Sequence, residues 1–222
     1  MMRFLSLLLL ALPTPALAQT RSAYDVDPTG WTDLMPAKGL EGWRRVPIPP
    51  DTSVVNKKVW NFDPAAKVIR CDLEGIKEML LYEKEFSDGV FHGEWRFPKV
   101  AGKELGYNSG LYIRTPLDGK TWHQVQVAHL DKRPFVGDLF FDRMTSKEPV
   151  RVIVEGTGYK HAKAPGEWNT FEITTKGKNV RVWLNGYDVT TYNDLPLGRG
   201  CVGMQSEFFV IEFRNLKYRE NN

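Results

Sequence analysis

Apolar and polar residues alternate with a period of two in a series of short runs, each bounded by Gly, Pro, Asn or Asp. The runs fall at residues 68–72, 89–97, 109–114, 122–129, 150–154, 171–175, 179–184, 200–205 and 208–218, and they are rich in Val, Ile, Phe, Tyr and Trp. Side chains on a strand point alternately to its two faces, and β-branched and aromatic residues pack well on such a surface, so each run predicts a strand. No interval sustains a helical period; the best helical stretches are a turn or two at residues 36–40 and 73–79. Many short strands with turn residues between them and no alternating helices predict an all-β fold, two antiparallel sheets packed as a sandwich. Leu184-Asn185-Gly186 closes one run with a dipeptide suited to positive φ and marks a hairpin.

The alternation also sorts faces. Phe91, Trp95 and Phe97 share one face with Gly93, and His92, Glu94 and Arg96 share the other. Ser109, Leu111 and Ile113 oppose Asn108, Gly110, Tyr112 and Arg114; Val125 and Val127 oppose Gln124 and Gln126; Val202 and Met204 oppose Gly203, Gln205 and Glu207. If these four strands are neighbours in one sheet, a single polar face gathers Glu94, Arg96, Tyr112, Arg114, Gln124, Gln126, Gln205 and Glu207. An ordinary solvated face is the plain alternative. Arg, Gln and Tyr, however, offer planar, directional hydrogen bonds where a solvated face usually carries Lys, Thr and Glu, which makes this face a candidate ligand site. Gly110 has no side chain there and leaves space for a close approach.

Composition changes the picture at the N-terminus. Of the 222 residues 42% are hydrophobic, but Met1 to Ala18 is far richer, with Arg3 its only charge and the run Leu7-Leu8-Leu9-Leu10-Ala11-Leu12 at its centre. This reads as a secretory signal ending in Ala16-Leu17-Ala18, cleaved before Gln19, with residues 19–29 a poorly ordered lead-in and residues 30–219 one domain. The expected location is the periplasm or the exterior. The apolar run is too short to span a bilayer, and no other is long enough. Thirty basic against 27 acidic residues, with no block of one sign, argues against nucleic-acid binding. Cys71 and Cys201 could join the ends of an exported domain as a disulfide, or stand as two buried thiols.

Read in order, several short motifs carry a resemblance. They are Trp31-Thr32-Asp33-Leu34, Gly39-Leu40-Glu41-Gly42-Trp43, Glu78-Met79-Leu80, Glu94-Trp95-Arg96 and Asn108-Ser109-Gly110-Leu111-Tyr112-Ile113-Arg114. Gln124-Val125-Gln126-Val127, Trp168-Asn169, Leu184-Asn185-Gly186, Val202-Gly203-Met204-Gln205 and Phe213-Arg214-Asn215-Leu216 follow. From Trp31 to Tyr218 the chain resembles the 3-keto-disaccharide hydrolase family, whose fold is a concanavalin-like jelly-roll sandwich.

The resemblance implies chemistry on sugars already oxidised at carbon 3. A ketone there acidifies the hydrogen on carbon 2, so a base can remove it, the glycosidic oxygen can leave, and water can then add. Such a route needs a base and a fixed cation or donors at the enolate oxygen, unlike the two facing carboxylates of ordinary glycosidases. The expected catalytic residues are Glu94 and Glu207 as carboxylates and Arg114 as the cation. Arg96, Asn108, Tyr112, Gln124, Gln126, His129 and Gln205 are expected to bind substrate. Where the family reads Glu-x-Gln-(Ile/Val)-x-Asp this chain has Gln124-Val125-Gln126-Val127-Ala128-His129, and Glu207 stands where the family often has His. These departures allow a different base, a lost metal ligand, or a carbohydrate-binding module without catalysis. No organic cofactor is expected; a divalent cation such as calcium remains open, although no calcium loop or zinc spacing is present.

Overall fold

The computed structural model describes residues 19–49, 51–72, 75–129, 135–144, 149–207 and 209–221. The leader expected over Met1 to Ala18 lies outside the described residues. A short helix, α1 (Ala23–Val26), precedes β1 (Thr32–Asp33), β2 (Trp43–Pro47), β3 (Trp60–Asp63), β4 (Val68–Cys71) and β5 (Glu78–Tyr82). Then come β6 (Gly89–Arg96), β7 (Tyr107–Thr115), β8 (His123–His129), β9 (Leu139–Met144) and β10 (Pro149–Val154). The chain ends with β11 (Asn169–Lys176), β12 (Asn179–Leu184), β13 (Tyr187–Tyr192), β14 (Cys201–Ser206) and β15 (Ile211–Glu220). Every run expected as a strand forms one. Of the stretch 73–79, read as a helical turn, residues 73–74 lie outside the described residues and the rest leads into β5 instead, because Glu78 to Tyr82 fits between β14 and β2 and buries both faces.

Among the described residues the strands form two antiparallel sheets. Sheet I has the order β13-β12-β11-β6-β15-β4-β3, with β1 added beside β15, and sheet II the order β10-β9-β8-β7-β14-β5-β2. This is the concanavalin-like jelly roll. Between the sheets lies one apolar core that includes Trp60, Phe91, Trp95, Phe97, Phe141, Phe171 and Phe213, all fully buried. Asn185 (φ 49°) and Gly186 (φ 108°) make the hairpin between β12 and β13, as their positive φ requires.

One further feature differs from the sequence reading, and one choice left open there is decided. Residues 19–29 are tied down rather than loose: Thr20 N donates to Gly186 O at 2.8 Å, and the Glu172 carboxylate accepts from Ala23 N and Tyr24 N at 2.8 and 3.0 Å. Glu172 is itself buried beside His92 Nδ1 at 3.1 Å, so the segment closes over the outward face of sheet I. Cys71 and Cys201 are both buried and are not joined by a disulfide. Cys71 belongs to the inter-sheet core, where its Sγ approaches Ser206 Oγ at 3.3 Å, whereas Cys201 points to the opposite side of sheet II and packs with Tyr112, Met79 and Leu81. Facing away from each other across a sheet, they cannot be bridged. Burial, reinforced by Glu85, pushes the Cys201 thiol to about 11, so it stays protonated.

Candidate functional site

The outward face of sheet II is divided by the connection between β7 and β8. Leu117 and Trp122, at the ends of that loop, press onto a small second apolar cluster of Val46, Met79, Leu81, Tyr112 and Cys201. The remaining part of the face is an open groove of about 500 Å³, within the size range of small-molecule sites.

Register explains what lines it. Gln124 on β8 stands opposite Phe140 on β9, which stands opposite Ile153 on β10. On the other side Gln126 pairs with Gly110 of β7, and Ala128 with Asn108. The side chains of Gln124, Gln126, Asn108, Gln205 and Glu207 therefore meet along the floor. Gln124 Nε2 donates to Gln126 Oε1 at 2.6 Å and to Gln205 Oε1 at 3.1 Å. Gln126 Nε2 donates in turn to Asn108 Oδ1, and Asn108 Nδ2 to Glu207 Oε2 at 2.9 Å. Lys77 Nζ meets the other Glu207 oxygen at 3.2 Å. The result is a directed chain of amides whose last acceptor is a carboxylate flanked by an ammonium. Gln124 lies across Gly110, since a Cβ at that glycine would stand 2.4 Å from Gln124 Nε2. The space Gly110 leaves serves a side chain of the floor rather than the approach of backbone to ligand.

Five of the expected residues, Asn108, Gln124, Gln126, Gln205 and Glu207, thus converge. Tyr112 points to the same side of sheet II but is buried in the small apolar cluster, its hydroxyl without a hydrogen-bond partner. Burial, with the Glu207 charge adding to it, pushes the phenol well above its ordinary value.

With Tyr112, four further expectations are corrected. Glu94 and Arg96 lie on β6, in the middle of sheet I, and face the opposite side of the sandwich. There Glu94 accepts from Arg214 at 2.7 and 3.1 Å, and Arg96 pairs with Glu212 at 2.6 Å. The ring of Trp168 packs against both guanidiniums, at 4.6 Å from Arg96 and 4.0 Å from Arg214, so it serves as a packing anchor. Arg114 has a left-handed φ of 45° next to a register shift between β14 and β7, which breaks the alternation and turns the side chain off the groove face. Its guanidinium donates to Gly177 O, Leu197 O and Asp88 Oδ1 at 2.5, 3.1 and 2.7 Å and braces turns at the end of the sandwich. His129 has the parity of Val125 and Val127, and its Nε2 meets Lys163 O at 3.0 Å, away from the amide chain.

Sequence reading missed Lys77, Trp122, Phe140, Arg151 and Ile153, all of which line the groove. Residues 150–154 were legible as a strand, but their face could be assigned only once β9 was known to lie between β10 and β8. A hollow of about 400 Å³ on the far side of sheet I, lined by Thr174, Lys176, Arg181 and Thr191 among others, has no lining carboxylate, so chemistry favours the groove of sheet II. Among the described residues no three His, Cys, Asp or Glu side chains are grouped to hold a metal.

Solved structures with the same arrangement include enzymes and a binding module. A candidate glycosyl hydrolase of Parabacteroides distasonis ATCC 8503 matches with a TM-score of 0.61 at 20% identity, covering 86% of this chain and 99% of the other. The carbohydrate-binding module CBM66 of Bacillus subtilis matches with a TM-score of 0.56 at 13% identity, covering 81% and 96%. The Bacillus licheniformis β-glucanase matches with a TM-score of 0.54 at 12% identity, covering 86% and 97%. At these identities the likeness establishes the fold alone. No curated protein matches the sequence. Residues 30–219 match the family model described as 3-keto-alpha-glucoside-1,2-lyase-like domain, and the chain belongs to that family of glycosyl hydrolase-like, carbohydrate-active domains.

Proposed function

We propose that the protein is exported and cleaves 3-keto-glycosides by elimination followed by hydration, with Glu207 as the base and Lys77 as the fixed cation. The observation that carries this reading is the amide chain that ends on Glu207. Gln124, Gln126 and Asn108 are fixed against one another and suit the in-plane reading of sugar hydroxyls, and they deliver a pyranose to one carboxylate. Glu207 takes the proton from carbon 2, the electron pair forms the C1=C2 bond, and the C1–O bond to the aglycone breaks. The ketone oxygen at carbon 3 carries the developing enolate charge, which the Lys77 ammonium beside Glu207 stabilises electrostatically. Water then adds across C1=C2, its hydroxyl to carbon 1 and its proton to carbon 2, and the proton held by Glu207 passes through solvent to the aglycone oxygen, leaving the free 3-keto sugar, the aglycone alcohol and an ionised Glu207. The net change is hydrolysis, without an organic cofactor, and its enolate distinguishes it from the oxocarbenium-like paired-carboxylate route.

The test is incubation of purified protein with a 3-keto-glucoside that carries a chromogenic leaving group, beside the same glucoside unoxidised. Release from the keto compound alone supports the proposal. Binding of both sugars without release from either at any pH would assign the groove to a carbohydrate-binding module instead.

A further inference from the structure

The two ends of the groove differ in chemistry. At the β14 and β5 end stand Glu207, Lys77 and Asn108, joined by hydrogen bonds and an ion pair. At the β9 and β10 end stand Phe140, Ile153 and Trp122, with Arg151 above. Ile153 is 50% exposed, a large apolar side chain left open on an otherwise polar face. Arg151 is committed: its guanidinium is clamped by the Asp142 carboxylate and lies 4.6 Å over the Trp122 ring. That stacking covers one face of Trp122, and the indole packs across Tyr112 with ring centroids 6.2 Å apart at 76°, so the ring serves as a wall of the groove. A second sugar at this end would bring several hydroxyls to a surface with few partners for them, each an uncompensated loss of hydration. The carboxylate at this end, Asp142, is held by the Arg151 guanidinium as an ion pair and so is a poor proton donor to a departing alkoxide, whereas a phenolate departs without a proton.

We infer that this end of the groove is an aglycone subsite for aryl groups, so that the substrate class is an aryl glycoside rather than a disaccharide. The inference rests on the reading of the groove as a glycoside site. The polar end sets the sugar and its orientation, and Phe140 and Ile153 take the aromatic ring.

Binding rather than rate is the proper test, because aryl groups leave faster from any enzyme. Calorimetric titration with unoxidised phenyl α-glucoside, methyl α-glucoside and an α-linked diglucoside needs no turnover. The phenyl compound is expected to bind about 30-fold more tightly than the methyl compound, the scale of burying one aromatic ring, and more tightly than the diglucoside. Phe140→Ala should reduce the phenyl preference to about 5-fold or less while leaving methyl α-glucoside affinity within about twofold. Ile153→Ser, at an exposed position, keeps the test available should Phe140→Ala not fold. A diglucoside that binds more tightly than phenyl α-glucoside, or a phenyl preference untouched by both variants, overturns the inference. Aryl preference without release from any 3-keto-glycoside would leave the subsite standing and defeat only the proposed reaction; if no glycoside binds, both fall.

Discussion

Replacing Gly110 with alanine probes whether the amide chain is the binding floor. The new Cβ would lie 2.4 Å from Gln124 Nε2 and 2.6 Å from its Cδ and Cγ, whereas ordinary contact begins near 3.4 Å. Gln124 must therefore move by about 1 Å, which takes its 2.6 and 3.1 Å bonds to Gln126 and Gln205 to or past the hydrogen-bond limit. Two neutral amide bonds at roughly 0.5–1.5 kcal/mol each amount to a loss of about 1–3 kcal/mol. Alanine is favoured over glycine in a strand by about 0.5–1 kcal/mol, so net stability should fall by only about 1 kcal/mol. The groove recovers none of that offset, and kcat/KM for the keto glucoside should fall about 10- to 100-fold. Urea unfolding and steady-state kinetics give the two numbers. In the double variant Gly110→Ala with Gln124→Ala the obstructing side chain is gone, so its losses should not exceed those of Gln124→Ala alone. If the two single costs simply add, Gln124 does not lie over Gly110 and the reasoning fails.

Other consequences are as specific. Tyr112→Phe removes a buried hydroxyl that has no partner, so chemical denaturation should show stability unchanged or raised by about 1 kcal/mol, with turnover intact; a large loss of activity would return Tyr112 to the site. His123 sits in the core with neither ring nitrogen bonded, and burial, aided by Arg114, lowers its pKa from 6.5 to about 4. The unfolded chain therefore binds this proton first, and the stability contributed by neutral His123 is full above pH 6.5 and declines toward pH 4, by roughly 3 kcal/mol in all. His123→Leu should flatten that part of the stability profile; an unchanged slope would show that other groups produce it. Arg114→Ala breaks four hydrogen bonds of a buried guanidinium and should cost about 2–3 kcal/mol in urea unfolding, a structural penalty that Arg114→Lys should only partly restore.

How much of this was legible depends on what alternation encodes. A period of two tells which side chains share a face, and it placed Gln124 with Gln126, Asn108 with Tyr112, and Gln205 with Glu207 correctly. It does not tell which sheet a strand joins, because the outward faces of both sheets are polar and obey the same rule. Glu94 and Arg96 were misplaced for that reason alone: β6 presents the right alternation on the wrong sheet. Arg114 was misplaced because parity holds only while the backbone stays extended, and a left-handed residue beside a bulge resets it. His129 already had the inward parity, and only its place in a family motif suggested the site. Lys77 precedes its strand, and Phe140 falls in none of the alternating runs, so neither carried a local signal. The small cluster that buries Tyr112 is a long-range product of the β7–β8 loop folding back, which no window of sequence contains.

The central claim is that Glu207, and not Glu94, removes the proton on carbon 2. It can be measured without waiting for a leaving group to depart, by following exchange of that hydrogen for deuterium in a 3-keto-glucoside in heavy water by NMR. The wild type and Glu94→Gln should exchange at rates within about twofold of each other, since Glu94 is on the far side of the sandwich, while Glu207→Gln should be slower by about 100-fold or more, the scale of a lost general base. Exchange that persists in Glu207→Gln at the wild-type rate, or that disappears in Glu94→Gln, would contradict the account.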